Sequence, residues 1–211
     1  YTAEQLRAHF LGLGLGIRSV SFQPKPLNPK ANERDGDPAL KEGNLLTNVL
    51  NRLARSCFYT SQQYYDGKVP VGQVSEAVLQ EARDTILEYE RLMYKYEFHN
   101  VMNLMDTYIR NANKYWVSGM KEVKDTDNMD LQAQIVVDAF HMLRTSIVLM
   151  HPVAPKGTEM VCDYLDFGKN FWDWNRIFDT VYDFMENPEE HTLKTLQPRV
   201  DFFEKHPSQL K

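Results

Sequence analysis

The chain has 211 residues, of which 43% are hydrophobic and 12% aromatic, which is enough apolar material for one large domain with its own core. Its formal charge of −5 excludes a protein that is basic over its whole surface, so any contact with nucleic acid requires a local cationic patch. Cys57 and Cys162 are far apart and in no metal-binding spacing, which predicts neither a zinc site nor a disulfide framework. No apolar run approaches the roughly 20 residues of a membrane span. We therefore expect a cytoplasmic protein that does not bind membranes.

Apolar residues recur at spacings of three and four along most of the chain, which predicts amphipathic helices. In chain order the predicted helices cover about 3–11, 39–65, 74–94, 98–117, 129–150, 157–165 and 174–185. Four prolines predict a loop over 17–38, and the tail from Asn187 is irregular. The helix over 129–150 is apolar on nearly every side, which favours a place in the middle of a bundle. Because no segment alternates as a strand does, the sequence predicts an all-α fold.

The sequence lacks the motifs of the common catalytic and cofactor sites. It has no phosphate-binding loop, no dinucleotide-binding glycine pattern, no zinc-protease motif and no paired Glu-xx-His of a di-iron bundle. His141, on the most apolar helix, could be read as a ligand, but a hydrogen-bonded core or boundary histidine is the favoured interpretation. We expect neither a metal nor a cofactor in this chain.

Four polar residues stand out on the helix that follows Gly43: Asn48, Asn51, Arg52 and Arg55. Asn51 and Arg55 lie one turn apart and project from the same face. Asparagine can read the edge of a base, and arginine can bind a phosphate or stack on a base. On these residues alone, an ordinary solvated helix face is the favoured interpretation.

The stretch RNANKYWVSGMK (110–121) places two adjacent aromatic residues among cations, including Lys114. Trp116 could be a platform for an unstacked base or the last residue of a helical core. The apolar spacing along this helix brings Trp116 to the edge of the buried face, and an aromatic residue at helical spacing is more often packed than exposed. The core interpretation is therefore favoured.

Several segments, in a fixed order, resemble the C-terminal anticodon-binding domain of the methionyl-tRNA synthetases. GNLLTNVLN (43–51) and YYDGKVP (64–70) resemble the segments that open that domain. NANKY (111–115) and the run from DLQAQ to CDYL (130–165) are similar to its ANKY motif and its central buried helix. LRAHFLGLG (6–14) and HTLKTLQPRVDFF (191–203) are similar to the helix that precedes the domain and to its tail. The resemblance covers nearly the whole chain.

This resemblance implies the anticodon-binding helix bundle of class I aminoacyl-tRNA synthetases. Residues 1–38 would be the end of the connecting, stem-contact helix and a proline-rich loop, 39–186 the bundle, and 187–211 an extended C-terminal tail. The implied partners are a tRNA and a separate catalytic domain of the same parent protein, in which ATP drives attachment of methionine. We expect the chain to be a fragment that is inactive alone.

The resemblance also implies roles for single residues. Asn51 falls at the position that helps to read the anticodon, and Arg55 falls close to an arginine that assists it in some members. The family's stacking tryptophan follows a proline several residues beyond ANKY, at a position near Glu122 here, whereas Trp116 directly follows Tyr115. Asn51 and Arg55 are thus the leading candidates, with Asn48, Arg52, Lys114 and Trp116 beside them. The alternative is a helical protein-interaction or regulatory module, derived from a class I synthetase, that does not read an anticodon.

Overall fold

A computed structural model of the protein describes residues 1–20 and 38–210, and in this part of the chain every regular element is helical. The α-helices are α1 (Ala3–Gly12), α2 (Pro38–Asn44), α3 (Asn51–Tyr64), α4 (Glu76–Tyr94), α5 (Phe98–Thr126), α6 (Met129–Met150) and α7 (Pro155–Leu165). A π-helix, Leu45–Leu50, joins α2 to α3, and short 3₁₀ turns follow α7. The prediction of an all-α bundle is confirmed. Most of the predicted proline-rich loop, 21–37, lies outside the described residues.

Helix α6 forms the centre of the bundle, as its apolar sequence predicts, and packs against α3, α4, α5 and α7. By length and composition this helix could cross a membrane, so the chain does contain one apolar segment of that length, contrary to the sequence expectation. Within its most apolar window, however, 83% of the residues are buried inside the bundle. Such burial is typical of the central helix of a bundle.

Helix α5 ends at Thr126, about two turns beyond the predicted end at 117. Its apolar stripe continues through Trp116 and Val123, which are both buried. Gly119 allows the extension because it has no side chain. A Cβ at this position would clash with Ile135 on α6, since it would lie only 2.6 Å from a methyl carbon. The two helices can therefore stay in close contact over the added turns.

The prediction of a helix over 174–185 is wrong. The structure has two 3₁₀ turns there, Trp174–Arg176 and Val181–Phe184. The buried side chain of Arg144 explains the difference. Its guanidinium donates hydrogen bonds to the backbone carbonyls of Arg176, at 2.7 Å, and of Ile177. The carbonyl of Arg176 also accepts the backbone amide of Asp179 at 3.0 Å, a bond of the 3₁₀ type, so the Arg144 side chain holds short turns here instead of an α-helix.

The tyrosine of the NANKY motif is part of a half-buried polar cluster around one buried carboxylate. Asp138, fully buried on α6, accepts hydrogen bonds from the hydroxyl of Tyr115 at 2.6 Å and from the backbone amide and hydroxyl of Ser75 at 2.8 and 2.6 Å. Gln134 donates a further bond, at 3.1 Å. Burial and the bond to Asp138 both raise the pKa of Tyr115. The motif therefore joins α5, α6 and the start of α4.

The C-terminal tail returns over the bundle. The backbone amides of Leu193 and Lys194 donate to the carbonyls of Gly67 and Tyr164, at 2.8 and 2.9 Å. Further along, Phe203 is buried against α7, where a Cβ at Gly157 would lie only 2.2 Å from its ring. The backbone amide of Phe202 donates to the side chain of Asn51 at 2.9 Å, so the tail also reaches the start of α3.

Candidate nucleic-acid interface

Four of the six candidate residues line one open groove of about 390 Å³ at the junction between the π-helix and α3. The residues that line it are Thr47, Asn48, Asn51, Arg52, Arg55, Ser56, Tyr59 and, from the tail, Lys205. We call this surface the α3 groove. It brings together the polar residues Asn48, Asn51, Arg52 and Arg55, of which the sequence spacing predicts a shared face only for Asn51 and Arg55.

The helix that carries these residues was predicted to be regular from 39 to 65, but the structure has a π-helical stretch in the middle. Leu45–Leu50 forms this wider turn, and the hydroxyl of Thr47 donates to the carbonyl of Gly43 at 3.2 Å. Side-chain bonds to the backbone of the preceding turn disturb a regular helix, and π-turns often lie at functional sites. The π-helix shifts the register of α2 relative to α3 just before Asn51.

Asn51 lies on the floor of the α3 groove, where only 3% of its surface is exposed. Its side-chain nitrogen donates to a carboxylate oxygen of Asp201 at 2.6 Å, and its side-chain oxygen accepts from the backbone amide of Phe202 at 2.9 Å. Both polar atoms of this amide therefore face the tail. A contact between Asn51 and a base stays a prediction; in this structure Asn51 anchors the tail.

Arg55 and Lys205 share the carboxylate of Asp201, with nitrogen-to-oxygen distances of 2.9 and 3.0 Å. The guanidinium of Arg55 also lies over the ring of Tyr59, 5.7 Å from its centre. Burial alone would raise the pKa of Asp201, but hydrogen bonds from Asn51 and Lys205, with the charges of Lys205 and Arg55, lower it below its usual range. Asp201 is therefore a carboxylate at neutral pH.

Arg52 is exposed at the rim of the α3 groove and has no hydrogen-bond or ion-pair partner among residues 1–20 and 38–210. Asn48 donates to the side-chain oxygen of Asn44. Arg52, Arg55 and Lys205 together outweigh the one carboxylate of Asp201, so the groove is a local cationic patch on an acidic chain.

The other two candidates lie outside the α3 groove, on α5. Lys114 is exposed, whereas Trp116 is 8% exposed and belongs to the hydrophobic core. The core interpretation of Trp116 agrees with this burial, and its ring is not presented to a base. Among the residues that the sequence did not indicate at the groove are Tyr59, Asp201 and Lys205. The last two are about 150 positions away in sequence, and no local spacing indicates such a contact.

His141 is a core residue, 3% exposed, and its Nδ1 has no hydrogen-bond partner in the described part of the chain. Burial, and to a lesser extent the charge of Arg144, lowers its pKa from 6.5 to about 4. Among the described residues, no group of three or more His, Cys, Asp and Glu side chains is placed to hold a metal ion.

The low pKa of His141 predicts a loss of stability in acid. The unfolded chain binds a proton near pH 6.5 but the folded chain does not until about pH 4, so stability falls as the pH drops through this interval. Between pH 7 and pH 5 we expect this one residue to remove about 2 kcal/mol from the free energy of unfolding. Urea denaturation at both pH values, compared with a His141→Gln variant, isolates the effect. Equal pH dependence in the two proteins would contradict it.

The chain matches no protein-family model. It is 28% identical over 144 residues to the methionine–tRNA ligase of Clostridium tetani, a match that covers 64% of this chain and 22% of the relative. The corresponding enzyme of Oceanobacillus iheyensis is 27% identical over 177 residues, which covers 76% of this chain and 24% of the relative. The matched region thus spans about a quarter of the length of these curated relatives.

Solved structures share the fold. The free form of Mycobacterium tuberculosis methionyl-tRNA synthetase superimposes with a TM-score of 0.68 at 18% identity, over 95% of this chain and 38% of the solved one. The same enzyme in complex with methionyl-adenylate gives a TM-score of 0.65 at 18% identity, over 79% of this chain and 33% of the solved one. At this identity the structural likeness shows the fold, while the sequence matches to two ligases indicate the relationship. The chain is a divergent domain related to the methionyl-tRNA synthetases.

Proposed function

We propose that the chain is the anticodon-binding domain of a methionine–tRNA ligase, and that the α3 groove holds the anticodon loop of the tRNA. The observation that carries this proposal is the cluster of Arg52, Arg55 and Lys205 around one groove of a chain whose net charge is −5. Phosphate contacts contribute most of the affinity for nucleic acid, and a local cationic groove can supply them on an acidic protein.

The groove also offers groups suited to unpaired bases. Single-stranded loops are recognised by stacking on aromatic or guanidinium planes and by hydrogen bonds to base edges. The ring of Tyr59 and the guanidinium of Arg55 provide the planes. In this proposal Arg52 and Lys205 bind phosphates and fix the position of the loop.

The tail forms one wall of the proposed site. Asp201 holds Arg55 and Lys205 beside the groove, and Asn51 fixes the tail in place. An incoming phosphate would compete with the carboxylate of Asp201 for these two cations. Arg52 has no such competitor among the described residues and is therefore the best residue to test.

The proposed parent reaction is the ATP-dependent attachment of methionine to its tRNA in the cytoplasm. In this proposal ATP and methionine bind to a separate catalytic domain, and the chain supplies tRNA binding alone. Its partners are the tRNA and that domain.

Substitution Arg52→Ala should weaken binding of the methionine tRNA anticodon stem-loop about tenfold at low salt, because one exposed phosphate contact is lost. It should also reduce the slope of log affinity against log salt by about one. Filter binding at several salt concentrations measures both quantities. Arg91→Ala is a matched control, because Arg91 is exposed on α4 and paired with Glu88. Equal losses in the two variants, or no binding by the parent chain, would overturn the proposal.

A further inference from the structure

A second groove, of about 510 Å³, is built mainly from aromatic side chains. It lies where α4 ends, beside the end of α6 and the 3₁₀ turns after α7. Its lining residues are Tyr89, Glu90, Met93, Tyr94, Tyr96, Val148, His151, Pro152, Trp172 and Trp174. We call it the aromatic groove. The anticodon proposal makes no use of it.

The aromatic groove is acidic as well as aromatic. Glu90 is half-buried in its wall and has no hydrogen-bond or ion-pair partner in the described part of the chain. No lysine or arginine is among the lining residues. His151 is already engaged, since its ring stacks on Trp172 at 4.1 Å and its Nε2 lies 3.1 Å from a carboxylate oxygen of Glu159. Glu90 is thus the one lining carboxylate available to a ligand.

The aromatic rings at the mouth of the groove are unusually exposed. Tyr94 and Tyr96 keep 78% and 77% of their surface exposed, and Trp174 keeps 42%. Tyr96 also has a left-handed backbone, with φ of 57°. This conformation caps the end of α4, because the amides of Tyr96 and Glu97 donate to the carbonyls of Met93 and Leu92, both at 3.0 Å. Exposed aromatic rings that contribute little to the core are suited to contact a partner.

We propose that the aromatic groove binds an arginine side chain presented by a protein partner. The faces of tyrosine and tryptophan rings attract cations, and an arginine guanidinium can lie flat on them while it donates to a carboxylate. Trp174, Tyr94 and Tyr96 supply the faces, and Glu90 supplies the carboxylate. The charge disfavours nucleic acid here, because phosphates would meet Glu90 and find no cation in the lining.

The test uses a short arginine-containing peptide and the same peptide with citrulline, which keeps the planar shape but has no charge. Binding is followed by tryptophan fluorescence and checked by calorimetry. We expect the citrulline peptide to bind at least about fivefold more weakly, and Glu90→Gln and Trp174→Ala each to weaken the arginine peptide by a similar factor. Phe178→Ala is the matched control, because Phe178 is an exposed aromatic outside the groove and should leave affinity unchanged.

Three results would overturn the inference: no binding of the arginine peptide at millimolar concentration, equal affinity for the citrulline peptide, or affinity that neither Glu90→Gln nor Trp174→Ala changes. Binding of a single-stranded RNA oligonucleotide that Trp174→Ala abolishes would assign the groove to nucleic acid and would equally overturn it. Glu90→Gln keeps the size of the side chain, and circular dichroism verifies that both variants are folded.

Discussion

Substitution Phe203→Ala should destabilise the protein by about 3–5 kcal/mol, the usual cost of emptying a fully buried phenylalanine site. Phe203 is 1% exposed and packs against α7 at Gly157. Any side chain at position 157 would clash with the ring of Phe203. The tail contributes few regular backbone bonds, so burial of its side chains holds it on the bundle together with the bonds that Asn51 and Arg55 make to it. The free energy of unfolding, measured with urea at pH 7, gives the result.

Glu204→Ala is the matched control for this change. Glu204 is the next residue in the tail, is exposed, and makes only a solvent-exposed ion pair with Lys156 at 3.4 Å. Such pairs contribute about 0–1 kcal/mol. If Phe203→Ala cost no more than Glu204→Ala, the tail would not be packed as described.

Substitution Asp138→Ala should cost about 3–5 kcal/mol as well, for a different reason. Asp138 is fully buried, and its removal would leave the hydroxyls of Tyr115 and Ser75 and the amide of Ser75 without their acceptor. Each buried polar group that loses its partner costs about 1–3 kcal/mol. Urea denaturation measures the loss.

Two further variants locate this effect. Tyr115→Phe removes a single donor and should cost about 1–2 kcal/mol, less than Asp138→Ala. Asp130→Ala removes an exposed carboxylate in the first turn of the same helix and should cost about 0.3–1 kcal/mol, the size of its interaction with the helix dipole. A cost for Asp138→Ala as small as that for Asp130→Ala would contradict the polar cluster.

Much of the fold follows from the sequence because helical spacing is a local property. Helix α6 begins and ends where its apolar run predicts, since Asn128 caps its start and Pro152 follows its end. The errors arise where one side chain acts on a distant segment. Arg144 bonds to the carbonyls of Arg176 and Ile177 in a segment of short 3₁₀ turns, and no local pattern near those residues indicates this.

For the candidate site, too, the sequence predicts the residues that are close along the chain but not those that the tail brings to it. Asn51, Arg52 and Arg55 share a groove because they are neighbours on α3, and Asn48 joins them from the π-helix that leads into it. Asp201 and Lys205 reach that groove only because the tail folds back, and a contact across 150 positions depends on the packing of the whole bundle. The NANKY motif, which carries part of the resemblance, is structural at its tyrosine, since Tyr115 bonds to Asp138.

In our proposal the α3 groove recognises the anticodon loop and does not merely attract phosphate. Fluorescence anisotropy at fixed salt can compare the methionine tRNA anticodon stem-loop with a hairpin of the same stem and a changed loop sequence. We predict at least a tenfold preference for the methionine loop, equivalent to about 1.4 kcal/mol, and a smaller preference in Arg55→Ala. Equal affinity for the two hairpins in the unmodified chain would contradict the account.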